Sequence, residues 1–180
     1  FNPVMAYDVG FTIRLAERLR PYQLRWLEEP LVPEDLEGHI QIRKAITWIP
    51  LATGEDHHTR IPFRQLVEHR CVDYVQPDLH WCGGLTEALR IYYIAEASGI
   101  KTCPHGGAGS AFGQHFLFAL PECPYGEFSV SSPVGIPLEE CARMPGLPVL
   151  KNGYVVPSDA PGFGMEIEDE WITPWEYTQT

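Results

Sequence analysis

Short apolar segments alternate with longer amphipathic segments over roughly the first 130 residues. The apolar segments are rich in β-branched and aromatic side chains. They lie at Gln23–Leu27, Trp48–Ala52, Val72–Gln76, Ile100–Cys103 and Phe128–Val130. Segments this short and this apolar are typical of strands that are buried on both faces of a parallel sheet.

The amphipathic segments carry apolar residues at helical spacing. They cover Val9–Arg20, Pro33–Ile46, Pro62–His69 and Leu85–Ala97. Alternation of strand and helix with a repeat of roughly 25 residues predicts βαβ units, and therefore the α/β fold class with a parallel sheet. Periodicity alone fits both an eight-stranded barrel and an open, doubly wound sheet.

The composition of the chain changes after residue 131, where Pro and Gly become frequent and apolar residues no longer follow a helical spacing. We therefore predict two parts. Residues 1–131 form the βα units, and residues 132–180 form a tail rich in turns that packs back on the rest. The tail is not a linker, because its apolar side chains need burial, among them Tyr154, Val156, Phe163 and Trp171.

Composition and charge narrow the possible partners. The 180 residues include 13 Lys and Arg against 24 Asp and Glu, for a net charge of −11. A chain this acidic repels phosphate, so we expect no nucleic-acid partner, and its apolar runs are too short for a membrane span. The five cysteines are widely spaced without a Cys-x-x-Cys pair, which favours reduced thiols and a cytoplasmic location. The start of the chain has neither a secretory signal nor an initiator Met, which favours a partial chain.

Ionisable residues follow the first four apolar segments, and another precedes the fifth: Glu28, Glu55, Asp78, His105 and Glu127. The carboxyl ends of parallel strands meet at one edge of a sheet, so we expect these side chains to converge there. Glu28 and Glu55 are oxygen ligands of the kind that Mg²⁺ takes. Asp78 and His105 could form a dyad in which the carboxylate fixes the tautomer of the imidazole.

The strings that hold these residues resemble the enolase superfamily, in its mandelate racemase branch. They are Trp-Leu-Glu-Glu-Pro (26–30), Gly-Glu-Asp (54–56), Gln-Pro-Asp (76–78) and Pro-His-Gly (104–106). In the tail, Asn-Gly-Tyr-Val-Val-Pro (152–157) and Pro-Gly-Phe-Gly (161–164) are also similar to that branch. Within it, the longer strings 54–59, 76–84 and 104–107 look closest to the L-rhamnonate dehydratases, and the likeness extends over essentially the whole chain.

The resemblance implies the C-terminal part of a TIM-like (β/α)₇β barrel, about strands 4 to 8, without its N-terminal capping domain. It also implies one Mg²⁺ that holds a substrate carboxylate and stabilises an enediolate. The implied activity is that of a lyase, an acid-sugar dehydratase of the L-rhamnonate type. Such an enzyme abstracts the proton α to a carboxylate and eliminates the β-hydroxyl, and its product is a 2-keto-3-deoxy sugar acid.

The resemblance assigns the metal ligands to Glu28 and Glu55. Glu28 is chosen over Glu29 because the first glutamate of such a pair is the ligand in the family. The third ligand of the family is an aspartate six residues before an Asp-Val pair, a position that Asn2 holds in this sequence. Either Asn2 is a weak substitute, or the true ligand lies upstream of this chain.

The resemblance also assigns the catalytic groups. His105 is the base that removes the α-proton and then the acid that assists departure of the hydroxyl, and Asp78 is its orienting partner. Glu127 matches a carboxyl group that binds the enediolate while protonated. His57 and His58 are expected to bind substrate or lie at the surface, because neighbouring residues in an extended segment point to opposite sides and cannot share a zinc ion.

Two alternatives stay open beside the dehydratase. A racemase or epimerase of the same superfamily would need a second base, and no Lys-x-Lys motif is visible in this chain. An inactive or truncated homologue with only a structural role is the other alternative, and Asn2 is the feature in its favour. The expected partners are a small-molecule sugar acid and further copies of the chain in a homo-oligomer, since open strand edges need cover.

Overall fold

The computed structural model describes residues 7–129, 133–136, 146–165 and 167–173. The chain divides into two compact units, residues 1–128 and 129–180. The described part of the second unit contains an antiparallel bridge between Lys151 and Tyr154 and a short 3₁₀ turn at Asp169–Trp171. Among the described residues, no helix has both the length and the apolar character to cross a membrane.

Strands and helices alternate along the first unit. The helices are α1 Val9–Leu19, α2 Leu36–Ala45, α3 Arg60–Glu68, α4 Leu85–Glu96 and α5 Ala111–Ala119, and the strands are β1 Leu27–Glu28, β2 Leu51–Thr53, β3 Tyr74–Val75 and β4 Lys101–Thr102. The strands form one parallel sheet in the order β1-β2-β3-β4. The prediction of an α/β fold with a parallel sheet is therefore confirmed.

The predicted helices are all present with small changes at their ends. Side chains at the residue before the first turn fix three of the helix starts: Asp8, Asp35 and Ser110 each accept a hydrogen bond from the N–H three residues later, at 2.7, 2.8 and 3.1 Å. Such caps satisfy amide groups that have no partner inside the helix. Helices α2 and α5 come after β1 and β4, so their caps also limit how far the intervening loops extend.

The structure differs from the sequence-based prediction in three respects. The strands are two or three residues long, shorter than the predicted apolar segments, and β1 and β2 each end one residue beyond the segment predicted for them. For the fifth predicted strand, Phe128 and Ser129 lie in irregular structure, and Val130 lies outside the described residues. Helix α5 was not predicted. Its sequence, Ala-Phe-Gly-Gln-His-Phe-Leu-Phe-Ala, is apolar on most sides, so it lacks the two-sided pattern by which a surface helix is recognised.

Two apolar clusters pack the helices onto the sheet. One joins α3, α4 and α5 through fully buried side chains that include Phe63, Ile91 and Tyr92. The other joins α1 and α2 to the first two strands, with Leu27 and Leu51 at its centre. The packed helices fix the strands relative to one another, so the residues that follow the strands are held on a rigid frame.

Candidate active site

The five ionisable residues singled out in the sequence all lie at the carboxyl edge of the sheet. Glu28 is the last residue of β1, Glu55 and Asp78 follow β2 and β3, and His105 follows β4. Glu127 joins them through the loop after β4: its Oε2 atom accepts a hydrogen bond from the N–H of Gly106 at 3.0 Å. The expected convergence is therefore present in the structure.

His105 and Asp78 form a hydrogen-bonded pair. The Nδ1 atom of His105 lies 2.9 Å from Oδ2 of Asp78. The other oxygen of Asp78 accepts hydrogen bonds from the N–H groups of His80, at 2.6 Å, and Trp81, at 3.2 Å. These bonds hold the carboxylate of Asp78 in place. The carboxylate therefore favours the tautomer of His105 that carries a proton on Nδ1, which leaves Nε2 as the basic nitrogen.

The basic nitrogen of His105 faces Glu55. The two side chains approach to 3.9 Å between Nε2 and Oε2, and the His105 side chain is 38% exposed. Burial alone would lower the pKa of His105, but the bond to Asp78 and the negative charges of Glu127 and Glu55 outweigh it, and the pKa is raised above its ordinary value. A histidine in this setting can both take a proton and hold it.

Glu55 lies among other carboxylates. Burial is the largest cause that raises its pKa to about 7, and the charges of Glu29, Glu28 and Glu127 raise it further against the opposing effect of His105. Like charges gathered in a partly buried place disfavour each other's ionisation. A bound cation would relieve this repulsion.

Glu28 is oriented by two side chains that the sequence analysis did not single out. Its Oε2 atom accepts a hydrogen bond from the amide of Gln76 at 2.9 Å, and it also accepts one from the indole N–H of Trp26. The spacing along the strands could have indicated them, because alternate residues of a strand point to the same face. Trp26 lies two residues before Glu28, and Gln76 lies two residues before Asp78.

The donor set suits magnesium as far as the described residues extend. Mg²⁺ usually takes one or two protein carboxylates and completes its shell with water and substrate oxygens, and Glu28 and Glu55 provide two. Within residues 7–129 and the other described segments, no group of three His, Cys, Asp or Glu side chains is arranged to hold a metal. Asn2, the third position considered, lies outside the described residues.

His57 and His58 diverge, as expected for neighbours in an extended segment. His57 is buried against the ring of Phe63, and burial is the main cause that lowers its pKa to about 4. His58 is exposed, with Nδ1 at 2.9 Å from the carbonyl oxygen of Trp81. Substrate binding by this pair stays a prediction. Of the two rings, that of His58 is the one exposed to solvent.

A family model and a curated relative both match nearly the whole chain. Residues 2–171 match the family described as enolase C-terminal domain-like. An L-rhamnonate dehydratase from Saccharopolyspora erythraea is 36% identical over 174 residues, which are 94% of this chain and 44% of that protein. The chain thus spans less than half the length of this curated relative.

Solved structures agree with this likeness. The crystal structure of L-rhamnonate dehydratase from Gibberella zeae is 33% identical with a TM-score of 0.84, and the match covers 94% of this chain and 44% of that one. The rhamnonate dehydratase from Gibberella zeae complexed with Mg has a TM-score of 0.83 at 33% identity, over 94% and 42% of the two chains. A racemase from Streptomyces coelicolor with bound magnesium has a TM-score of 0.80 at 28% identity, over 94% and 44%.

Proposed function

This chain belongs to the enolase C-terminal domain-like family, and from that premise we propose that it provides the catalytic edge of a Mg²⁺-dependent sugar-acid dehydratase. The proposed substrate is L-rhamnonate or a similar sugar acid, by likeness to relatives named for that reaction. The observation that carries the proposal is the His105–Asp78 pair, bonded at 2.9 Å and facing the carboxylate of Glu55.

His105 is proposed to move the proton in both halves of the reaction. Its Nε2 atom takes the proton from the carbon α to the substrate carboxylate, and Asp78 stabilises the imidazolium that results. The electron pair of the broken C–H bond forms a C=C bond as the β-hydroxyl leaves with the proton that His105 returns, so that water departs. The enol that remains tautomerises to the 2-keto acid. The raised pKa of His105 suits a group that must hold the proton until the hydroxyl leaves.

Glu28 and Glu55 are proposed to hold the magnesium ion. When bound, the ion supplies positive charge that stabilises the negative charge developing on the substrate carboxylate. Burial raises the pKa of Glu55 most, and the charges of Glu29, Glu28 and Glu127 raise it further; a bound cation would offset these effects. Glu127 is proposed to hydrogen-bond the same substrate oxygens, and its bond from Gly106 keeps it beside the loop that carries His105.

A racemase or epimerase is the second candidate, because the racemase from Streptomyces coelicolor shares the fold at 28% identity. Both reactions begin with removal of the α-proton, but only the dehydratase releases water. The products therefore separate the candidates: a 2-keto acid for one, and an epimer with the original composition for the other.

The test is product formation from a panel of five- and six-carbon sugar acids that includes L-rhamnonate, with Mg²⁺ and with EDTA. We expect a 2-keto-3-deoxy acid from at least one panel member, formed with Mg²⁺ and absent with EDTA. Epimer without keto acid would replace the dehydratase by the racemase. No reaction of any kind, together with no α-proton exchange in deuterium oxide, would contradict both and favour the inactive homologue.

Assembly and location complete the proposal. We expect a homo-oligomer, which size-exclusion chromatography with light scattering would detect as a mass above one chain. Cys71, Cys82, Cys103 and Cys123 are free thiols in the described part of the chain, while Cys141 lies outside it. Free thiols fit a reducing compartment such as the cytoplasm.

A further inference from the structure

Two neighbouring glutamates at the end of β1 have different surroundings. Glu28 accepts its hydrogen bonds from Gln76 and Trp26. Glu29 is completely buried, and its backbone φ is +43°. This is the left-handed region, which a residue other than glycine adopts at a cost in free energy and keeps only where its surroundings hold it there.

The carboxylate of Glu29 binds the last residue of β2 and the residue that follows it. Its Oε1 atom accepts hydrogen bonds from the hydroxyl of Thr53 at 2.6 Å and from the N–H of Gly54 at 2.6 Å. Oε1 is therefore bound from a side chain and from the backbone of consecutive residues. Bonds to a carboxylate are stronger than bonds to a neutral acceptor, so Glu29 fixes this turn firmly.

The turn has no room to shift on its other side. Gly54 has φ of +140°, and a Cβ atom added there would lie 2.6 Å from Cε1 of Phe63 and 3.0 Å from the backbone nitrogen of Gln76. The chain at Gly54 is thus held between Phe63 and Gln76. Glu55 is the next residue, so the direction in which its side chain leaves the backbone depends on this turn.

A carboxylate is a costly choice for a purely structural contact at this place. Glu29 is completely buried, so its carboxylate has been removed from water. Its second oxygen, Oε2, has no hydrogen-bond partner among the described residues. An apolar side chain at this position would stabilise the fold without this desolvation cost. Stability alone therefore does not explain the carboxylate of Glu29.

We propose that Glu29 is a positioning residue, which binds the Thr53–Glu55 turn and so orients the carboxylate of Glu55 for the metal ion. The inference rests on the proposed function, because it takes Glu55 as a metal ligand. Groups that orient a ligand in this way commonly change metal affinity by about 10- to 100-fold when they are removed.

The test is Mn²⁺ binding to the purified protein without substrate, followed by electron paramagnetic resonance. Mn²⁺ takes the same oxygen ligands as Mg²⁺ and gives a direct signal. We expect Glu29→Ala to weaken binding about 10-fold. Glu29→Gln should restore affinity to within about threefold of the unmodified protein, because the carboxamide oxygen accepts the same hydrogen bonds. Glu37→Ala, in the exposed first turn of α2, is the matched control and should bind as the unmodified protein does.

The outcomes separate this inference from the function beneath it. Unchanged Mn²⁺ affinity in a folded Glu29→Ala variant would overturn the positioning role alone. An unmodified protein that binds no Mn²⁺ would overturn the proposed function and the inference together. If circular dichroism shows that Glu29→Ala does not fold, Thr53→Val serves as the second variant. It removes only the hydroxyl group that donates a hydrogen bond to Glu29. It should weaken binding by about threefold, and unchanged affinity in that variant would again overturn the role.

Discussion

Two aspartates flank strand β3, Asp73 directly before it and Asp78 three residues after it, and their carboxylates have opposite surroundings. Asp73, at the amino edge of the sheet, accepts hydrogen bonds from the guanidinium of Arg43 and, at 2.8 Å, from the N–H of Leu51. Asp78, at the carboxyl edge, binds His105 beside further carboxylates. Opposite charges are paired at the amino edge, whereas like charges are gathered at the carboxyl edge.

This difference separates stability from chemistry. At the amino edge, Arg43 also donates to the carbonyl oxygens of Ile46 and Ile49, at 2.6 and 2.9 Å, and so joins the end of α2 to the start of β2. Lys101 pairs with Glu122 near the same edge. At the carboxyl edge the charges raise each other's free energy, which is the condition that a cation or a reacting proton can relieve. Variants at the two edges should therefore fail in different assays.

Replacement of His105, the proposed base, should give the largest loss. We expect His105→Asn to lower exchange of the substrate α-proton by about 10⁴-fold, at the upper end of what one acid–base group contributes. The measurement is exchange in deuterium oxide, followed by nuclear magnetic resonance. His69→Asn, at the exposed C-terminal cap of α3, is the control and should exchange normally. Exchange retained by His105→Asn would contradict its assignment as base.

Replacement of the two aspartates that flank β3 compares the edges directly. Asp78→Asn keeps an oxygen for the N–H groups of His80 and Trp81 but presents an amide to His105, which favours the wrong tautomer. We expect kcat to fall by about 10²-fold with little change in the free energy of unfolding. Asp73→Asn should show the reverse, a less stable protein with kcat unchanged. Equal effects of the two variants in both assays would contradict the separation.

Loss of Arg43 should reduce stability without affecting the chemistry. Arg43→Met removes the partner of Asp73 and leaves two carbonyl oxygens without their donor, so we expect a loss of about 2–3 kcal/mol in urea unfolding. Arg64→Met removes an exposed pair with Glu68, and the expected loss there is below about 0.5 kcal/mol. Similar losses in the two variants would show that the amino edge has no special part in stability.

The smallest effect is a pH dependence in the helices that surround the carboxyl edge. Glu87 accepts a hydrogen bond from the N–H of Arg60 and pairs with the side chains of Arg90 and Arg60, and these contacts lower its pKa to about 2. Its ordinary value is near 4.5, so the contribution to stability is complete above that pH and is lost as pH falls through about 2. In urea unfolding at pH 6 and pH 3, Glu87→Gln should lose less stability than the unmodified protein.

The control for this titration is Glu68→Gln, whose exposed pair with Arg64 should leave the pH dependence unchanged. Identical pH dependence of Glu87→Gln and the unmodified protein would remove Glu87 from the acid-sensitive contacts.

Local patterns were sufficient for the order of elements and for the strand-end residues. Periodicity predicted α1 to α4 and the parallel sheet, because each depends on residues that are close in sequence. It did not predict α5, whose apolar side chains lie on most of its sides. Glu28 and Glu29 are adjacent residues of one type, so periodicity cannot separate them, whereas the structure distinguishes Glu29 by its complete burial, its positive φ and its bonds to β2. The contact between Arg43 and Asp73 joins residues 30 positions apart, beyond the reach of local patterns.

The order of the sheet has a consequence for how the protein is made. Each strand pairs with the strand that precedes it in the chain, as when Leu51 pairs with Leu27 and Lys101 with Tyr74. Every strand of the described sheet pairs with a strand that is synthesised directly before or after it. Each βα unit can therefore add to the folded part of the chain as it leaves the ribosome. Pulse-labelled hydrogen exchange on stalled nascent chains should show protection of β1 and β2 before β4 is synthesised. The carboxyl edge would then be assembled in the order of translation, with His105 added after Glu28 and Glu55 are in place.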